Sequence, residues 1–95
     1  MENDFLFIQY LQDFIEKRCN EMPEGSYTTK LFQSGLNRMA QKVGEEAVET
    51  VIEAIAGNRD AMLYEASDLI YHILVLLEAT GYSIADMERE LARRH

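Results

Sequence analysis

The stretch LNRMAQKVGEEAVETVIEAIAGNRDAMLYEASDLIYHILVLLEAT, residues 36–80, reads as two long helices broken at Gly57-Asn58. Its apolar residues recur at helical spacing, with no sustained alternation of period two and no Asn-Gly or Asp-Gly hairpin signal. The spacing predicts one helix over about Leu36 to Ala56, with Gly57 just past its end. It predicts a second over about Arg59 to Thr80, capped by Asn58 and followed by Gly81.

Outward from this pair the same period continues. Phe7, Ile8, Leu11, Phe14 and Ile15 form one stripe of a helix from about Asp4 to Met22, capped by Asn3 or Asp4 and ended by Pro23. A short helical turn is expected over Thr28 to Ser34, capped by Ser26 or Thr28 and closed by Gly35. Ser83 with Asp86 approximates a capping box for a last helix reaching Arg94. The expectation is an all-α chain: a helical bundle of four to five helices in one domain spanning residues 1–95.

Composition bounds what this bundle can do. At 95 residues there is room for one small core. A formal charge of −8 and a pI near 4.6 argue against a nucleic-acid or anionic-membrane surface, because the long-range field repels phosphate polymers. A single cysteine, Cys19, excludes an internal disulfide framework and reads as an inert thiol near a helix end. No run approaches the ~18 apolar residues of a membrane span. The beginning, MENDFLFIQYL, is acidic where a secretory signal is basic. A soluble, cytoplasmic protein is expected.

The carboxylates carry the chemistry. At 100° per residue, Arg38, Lys42, Glu45, Glu46, Glu49 and Glu53 share about 100° of arc on the third helix. Taken alone, that helix favours a solvated charged stripe, with Arg38 and Lys42 pairing the acids below them. The fourth helix changes the balance. Between Asp60 and Glu78 its only acids are Glu65 and Asp68, which form a narrow seam with His72 on an otherwise apolar, buried-looking helix. Buried carboxylates are costly unless a cation meets them. Either Arg or Lys from another helix does so, or a hard divalent cation such as Mg²⁺, which binds a few carboxylates, waters and substrate phosphates. The pairs Glu46/Glu49 and Glu65/Asp68, with fifteen residues between them, each put two acids on one helix face and suit the cation. His72 is expected to hydrogen-bond the Asp68 carboxylate, and Tyr27, Tyr64, Tyr71 and Tyr82 to serve as core or interface aromatics.

The runs GSYTTKLFQSGLNRMAQKVGEEAVETVIEA, EASDLIYHILVLLEATG and ELARRH closely resemble phosphoribosyl-ATP pyrophosphohydrolase, an enzyme of the second step of histidine biosynthesis. The likeness extends from about Leu11 to His95. More broadly, the chain is similar to MazG-like all-α nucleoside triphosphate pyrophosphohydrolases, which share the E-x-x-E…E-x-x-D arrangement.

The resemblance implies that Glu46, Glu49, Glu65 and Asp68 ligate Mg²⁺, with Glu45 binding metal or holding a water. It implies phosphate contacts from Lys30 and Lys42, and a nucleotide-bordering loop at Ser26, Tyr27 and Thr28. The implied reaction converts phosphoribosyl-ATP and water into phosphoribosyl-AMP and pyrophosphate, with Glu46 or Glu49 accepting the proton of the attacking water. A bundle completed by homodimerisation is also implied. Some relatives carry a fused cyclohydrolase domain, and a chain of this length is expected to leave that step to a separate protein. Two competing readings stand beside this one. One is a house-cleaning enzyme acting on ordinary or damaged triphosphates; the other is a non-catalytic helical dimerisation module.

Overall fold

A computed structural model describes residues 6–95 as five helices, with no strand among the described residues. These are α1 (Leu6–Glu21), α2 (Tyr27–Ser34), α3 (Leu36–Ala56), α4 (Arg59–Ala79) and α5 (Ile84–Arg94). The all-α expectation holds, and the bounds of α2 to α5 fall within a residue of those read from the spacing. The expected cap at Asn3 or Asp4 lies outside the described residues.

The helix ends follow local chemistry. Ser26 caps α2, its hydroxyl accepting the Thr29 N–H at 3.3 Å. Gly57, at φ 80°, takes the left-handed conformation that ends α3, and the next N–H, of Asn58, reaches back to the Glu53 carbonyl. Asn58 departs from expectation. Its side chain makes no capping bond, and it contributes only a backbone carbonyl, which accepts the Met62 N–H. At α5, the Ser83 N–H donates to the Asp86 carboxylate at 2.9 Å, the reciprocal arm of a capping box.

The α3–α4 hairpin is the most extensive helix pairing, and α1 and α2 close one end of it. There Ile15, Leu31, Met39, Leu74 and Val75 form a small buried core, flanked by Leu11, Phe14 and Leu77. Gln12, itself buried, ties α1 to the start of α5 by accepting the Ile84 N–H.

The rest of the hairpin inverts the usual amphipathic arrangement. On α3, Val48, Val51, Ile52 and Ile55 form an exposed stripe at helical spacing, with Ile55 85% exposed. On α4, Leu63, Tyr64 and Ile70 are exposed as well. The expectation that α4 is largely buried therefore holds only around His72, Leu74 and Val75. The side of α3 that meets α4 carries acids instead.

Candidate active site

Helical spacing puts Glu46, Glu49 and Glu53 on one side of α3, at i, i+3 and i+7, and α4 presents Glu65 across from them. One carboxylate oxygen from each of Glu46, Glu49 and Glu65 lies within 4.8 Å of the other two. Glu46 is 5% exposed, so the solvated stripe expected for α3 taken alone is corrected: its middle is turned into the protein. Glu49 faces water, and Glu65 is half-buried between them. A cavity of about 240 Å³ opens beside the cluster, lined by Glu49, Ile52, Glu53 and Glu65. Glu53 is a member of this lining that motif reading passed over; its place four residues after Glu49 was the available signal.

Cationic compensation is one-sided. Lys42 Nζ lies 3.3 Å from Glu46 Oε1 and 3.4 Å from Glu45. Burial works most strongly against the Lys42 ammonium, yet the contacts with Glu46, Tyr27 and Glu45 together outweigh it and hold its pKa above the ordinary lysine value. Among the described residues, neither Glu65 nor Asp68 is paired with Lys or Arg, so no structural ion pair compensates α4's acids. One oxygen of Glu46 and one of Glu65 are buried without any hydrogen-bond partner. Contact with the Glu49 carboxylate, followed by burial and the proximity of Glu46, pushes the Glu65 pKa up to about 7. Orphaned acceptor oxygens from facing helices are the donor set a hard divalent cation takes, and the residues present fit one.

The remaining expected ligands lie outside this group of three. Glu45 is held by Gln41 at 2.9 Å, with Lys42 and Arg38 beyond, and these partners keep its carboxyl below the usual range. Asp68 is half-buried one turn along α4 from Glu65.

The S-Y-T segment is anchored to α4. Thr28 is buried, and its hydroxyl shares a 2.5 Å hydrogen bond with Tyr71, whose phenol pKa is raised mainly by burial. Tyr27 Oη lies 3.2 Å from His72 Nε2. His72 Nδ1 lies 2.8 Å from the backbone carbonyl of Asp68, which replaces the side-chain contact expected with that residue. Because a carbonyl only accepts, Nδ1 donates; in the neutral ring Nε2 then accepts, and the Tyr27 hydroxyl donates to it. The rings of Tyr27, Tyr71 and His72 pack together, with His72 edge-on to both tyrosines. The hydroxyls of Ser26, Tyr27 and Thr28 are thus engaged within the protein. Lys42 stands at the acidic cluster, and Lys30 lies apart from it, on the exposed side of α2.

The described residues thus form an all-α protein in which carboxylates converge across a helical hairpin, a candidate divalent-cation centre. The family described as phosphoribosyl-ATP pyrophosphohydrolase matches residues 8–95, and the chain belongs to it. A histidine biosynthesis bifunctional protein HisIE from Bacteroides thetaiotaomicron is 61% identical over 94 residues, covering 99% of this chain and 46% of that protein. A HisIE protein from Xanthomonas axonopodis is 47% identical over 89 residues, 94% of this chain and 43% of the relative. The chain thus spans about half the length of these bifunctional relatives. A phosphoribosyl-ATP pyrophosphatase from Pyrobaculum calidifontis is 47% identical over 87 residues, covering 92% of this chain and 93% of that protein.

Proposed function

We propose that this chain hydrolyses phosphoribosyl-ATP to phosphoribosyl-AMP and pyrophosphate with Mg²⁺, as one domain over residues 1–95. The observation that carries the reading is the convergence of Glu46, Glu49 and Glu65 with two buried, unpartnered oxygens. These three hold the metal, and Asp68 completes the set once substrate is present. Bound there, Mg²⁺ supplies charge neutralisation for the phosphates and a more acidic water.

The chain's own groups do the rest. Phosphoryl transfer depends mainly on positioning and electrostatics. Lys42, already directed at Glu46, offers its ammonium to a phosphate oxygen on entry of the anion. Glu46 is closed off from water and bound to Lys42, whereas Glu49 lines the open cavity. Glu49 is therefore the base that takes the proton of the attacking water. Ser26, Tyr27 and Thr28 border the nucleotide as a rigid wall, their hydroxyls fixed by Thr29, His72 and Tyr71.

The working unit is a homodimer. Val48, Val51, Ile52 and Ile55 with Leu63 and Tyr64 form an apolar surface beside the acidic cavity, and a second copy would cover it. The setting is the cytoplasm, where histidine biosynthesis takes place; no single described helix is long and apolar enough to cross a membrane.

Pyrophosphate release from phosphoribosyl-ATP and from ATP, each with Mg²⁺ and with excess chelator, tests the proposal. Rapid, Mg²⁺-dependent release that prefers phosphoribosyl-ATP is expected. Equal turnover of ATP would favour a house-cleaning triphosphatase, and no release from either would favour a non-catalytic module.

A further inference from the structure

Beside Tyr27 lies another cavity, of about 190 Å³, lined by Tyr27, Lys30, Leu31, Ser34 and Arg38. We propose that it binds the single phosphate on the substrate's second ribose, making Lys30 and Arg38 specificity-determining residues. The inference rests on the functional reading above and extends it to how this substrate is told apart from ATP.

In a chain of net charge −8, Lys42 is taken up by Glu45 and Glu46, and Arg89, Arg93 and Arg94 by Asp86 and Glu90. Lys30 has no acidic partner among the described residues, and Arg38 reaches Glu45 only at 3.8 Å. Lys17, Arg18 and Arg59 also stand outside the ion pairs of the described residues. Lys17, however, shares its cavity with Asp13 and Arg18 lies over the Phe14 ring, whereas this cavity is lined by two cations and no acid. Two weakly committed cations thus meet at one concavity. Its other polar groups are spoken for: the Ser34 hydroxyl donates to the Leu31 carbonyl at 2.6 Å, and the Tyr27 hydroxyl is held by His72. Recognition of an anion therefore falls to the ammonium and the guanidinium, whose planar fork suits two phosphate oxygens at once.

The substrate carries two anionic ends. Its triphosphate goes to the metal-binding carboxylates, and the phosphate on the ribose attached to the purine needs a separate cationic seat. Arg38 precedes Glu46 by eight residues, about 12 Å along α3. The chain Arg38, Glu45, Lys42, Glu46 joins the two places through contacts of 3.8, 3.4 and 3.3 Å. A purine bearing a ribose at each end can bridge that interval. The seat is also preorganised. Bonds from Tyr27 to His72 and from Thr28 to Tyr71 fasten α2 to α4, and buried Leu31 floors the cavity, so Lys30 projects from a fixed helix.

The test compares phosphoribosyl-ATP with the analogue lacking the 5-phosphate, N1-ribosyl-ATP, in pyrophosphate release with Mg²⁺. Both are assayed with the parent and the exposed-site variants Lys30→Gln, Arg38→Gln and Arg38→Lys. The parent is expected to show a much lower KM for the phosphorylated substrate. Each Gln variant should shrink that ratio of KM values about tenfold, the size of one lost charge-assisted contact, with kcat for phosphoribosyl-ATP little changed. Arg38→Lys, which keeps charge but not the fork, should retain part of the ratio. A ratio as large in both Gln variants as in the parent would overturn the subsite while leaving the functional reading intact. Absence of pyrophosphate release from phosphoribosyl-ATP by the parent would overturn both.

Discussion

The Lys42 ammonium lies 3.3 Å from Glu46 Oε1 but forms no ion pair with Glu49 or Glu65, so one cation faces three convergent carboxylates. The metal-free cluster is consequently under-compensated, and its charge balance governs stability as well as catalysis.

Replacing Lys42 with Gln leaves the buried Glu46 carboxylate without its one ionic partner among the described residues. In chelator, the variant should lose about 1–3 kcal/mol, because a buried charge stripped of its partner carries its desolvation cost uncompensated. Added Mg²⁺ should recover part of that loss. Urea melts of parent and variant, with and without Mg²⁺, measure both effects; an unchanged midpoint in chelator would remove Lys42 from the charge balance of the cluster.

Glu65 contributes to the pH dependence of the metal-free protein. Its pKa is about 7 in the folded state against an ordinary value of 4.5, so the folded form binds the proton more tightly than the unfolded chain does. This contribution is fully present below about pH 4.5 and is lost as pH rises through 7. In chelator, the parent should therefore lose stability across that window relative to Glu65→Gln, which has no proton to release. Thermal melts from pH 5 to 8 check the slope, and a parent that follows Glu65→Gln throughout would contradict it.

Asp68 distinguishes a metal ligand from a structural acid. Because it has no Lys or Arg partner among the described residues, Asp68→Asn should keep metal-free stability within about 0.5 kcal/mol of the parent. Activity should nevertheless fall by orders of magnitude, and stabilisation by Mg²⁺ should shrink. A large loss of stability in chelator would identify Asp68 as structural.

Glu49→Gln removes the proposed base but keeps its shape. It should lower kcat roughly 10²–10⁴-fold. Pyrophosphate release under saturating phosphoribosyl-ATP measures this, and near-parent kcat would transfer the role to another group.

The exposed apolar stripe predicts self-association. Sedimentation of the parent should give twice 11.0 kDa, and Ile52→Asp together with Ile55→Asp should shift it to the monomer, because charges on a buried interface strand without partners. A parent that sediments as an 11.0 kDa monomer at micromolar concentration would refute the dimer.

By itself, the sequence determined the helices and the carboxylates. The period of Phe7 to Ile15 and of Leu36 to Thr80, with Gly57 and Gly81 as stops, is local information, since helix formation depends on near neighbours and caps. The spacing of Glu46/Glu49 and of Glu65/Asp68 likewise places each pair of acids on its own helix face. How those faces meet depends on tertiary packing. A charged arc on α3 is indistinguishable from a solvated stripe until packing against α4 brings Glu65 to it and buries Glu46. His72 was expected to bond a carboxylate one turn away, and the packing of α2 gave it Tyr27 and a backbone carbonyl instead. Lys30 and Arg38, on different helices, come together at one cavity only because Tyr27 and Thr28 fasten α2 in place. Periodicity along one helix reports which residues share a face; which neighbour that face meets is fixed by the burial and hydrogen bonding of the whole chain.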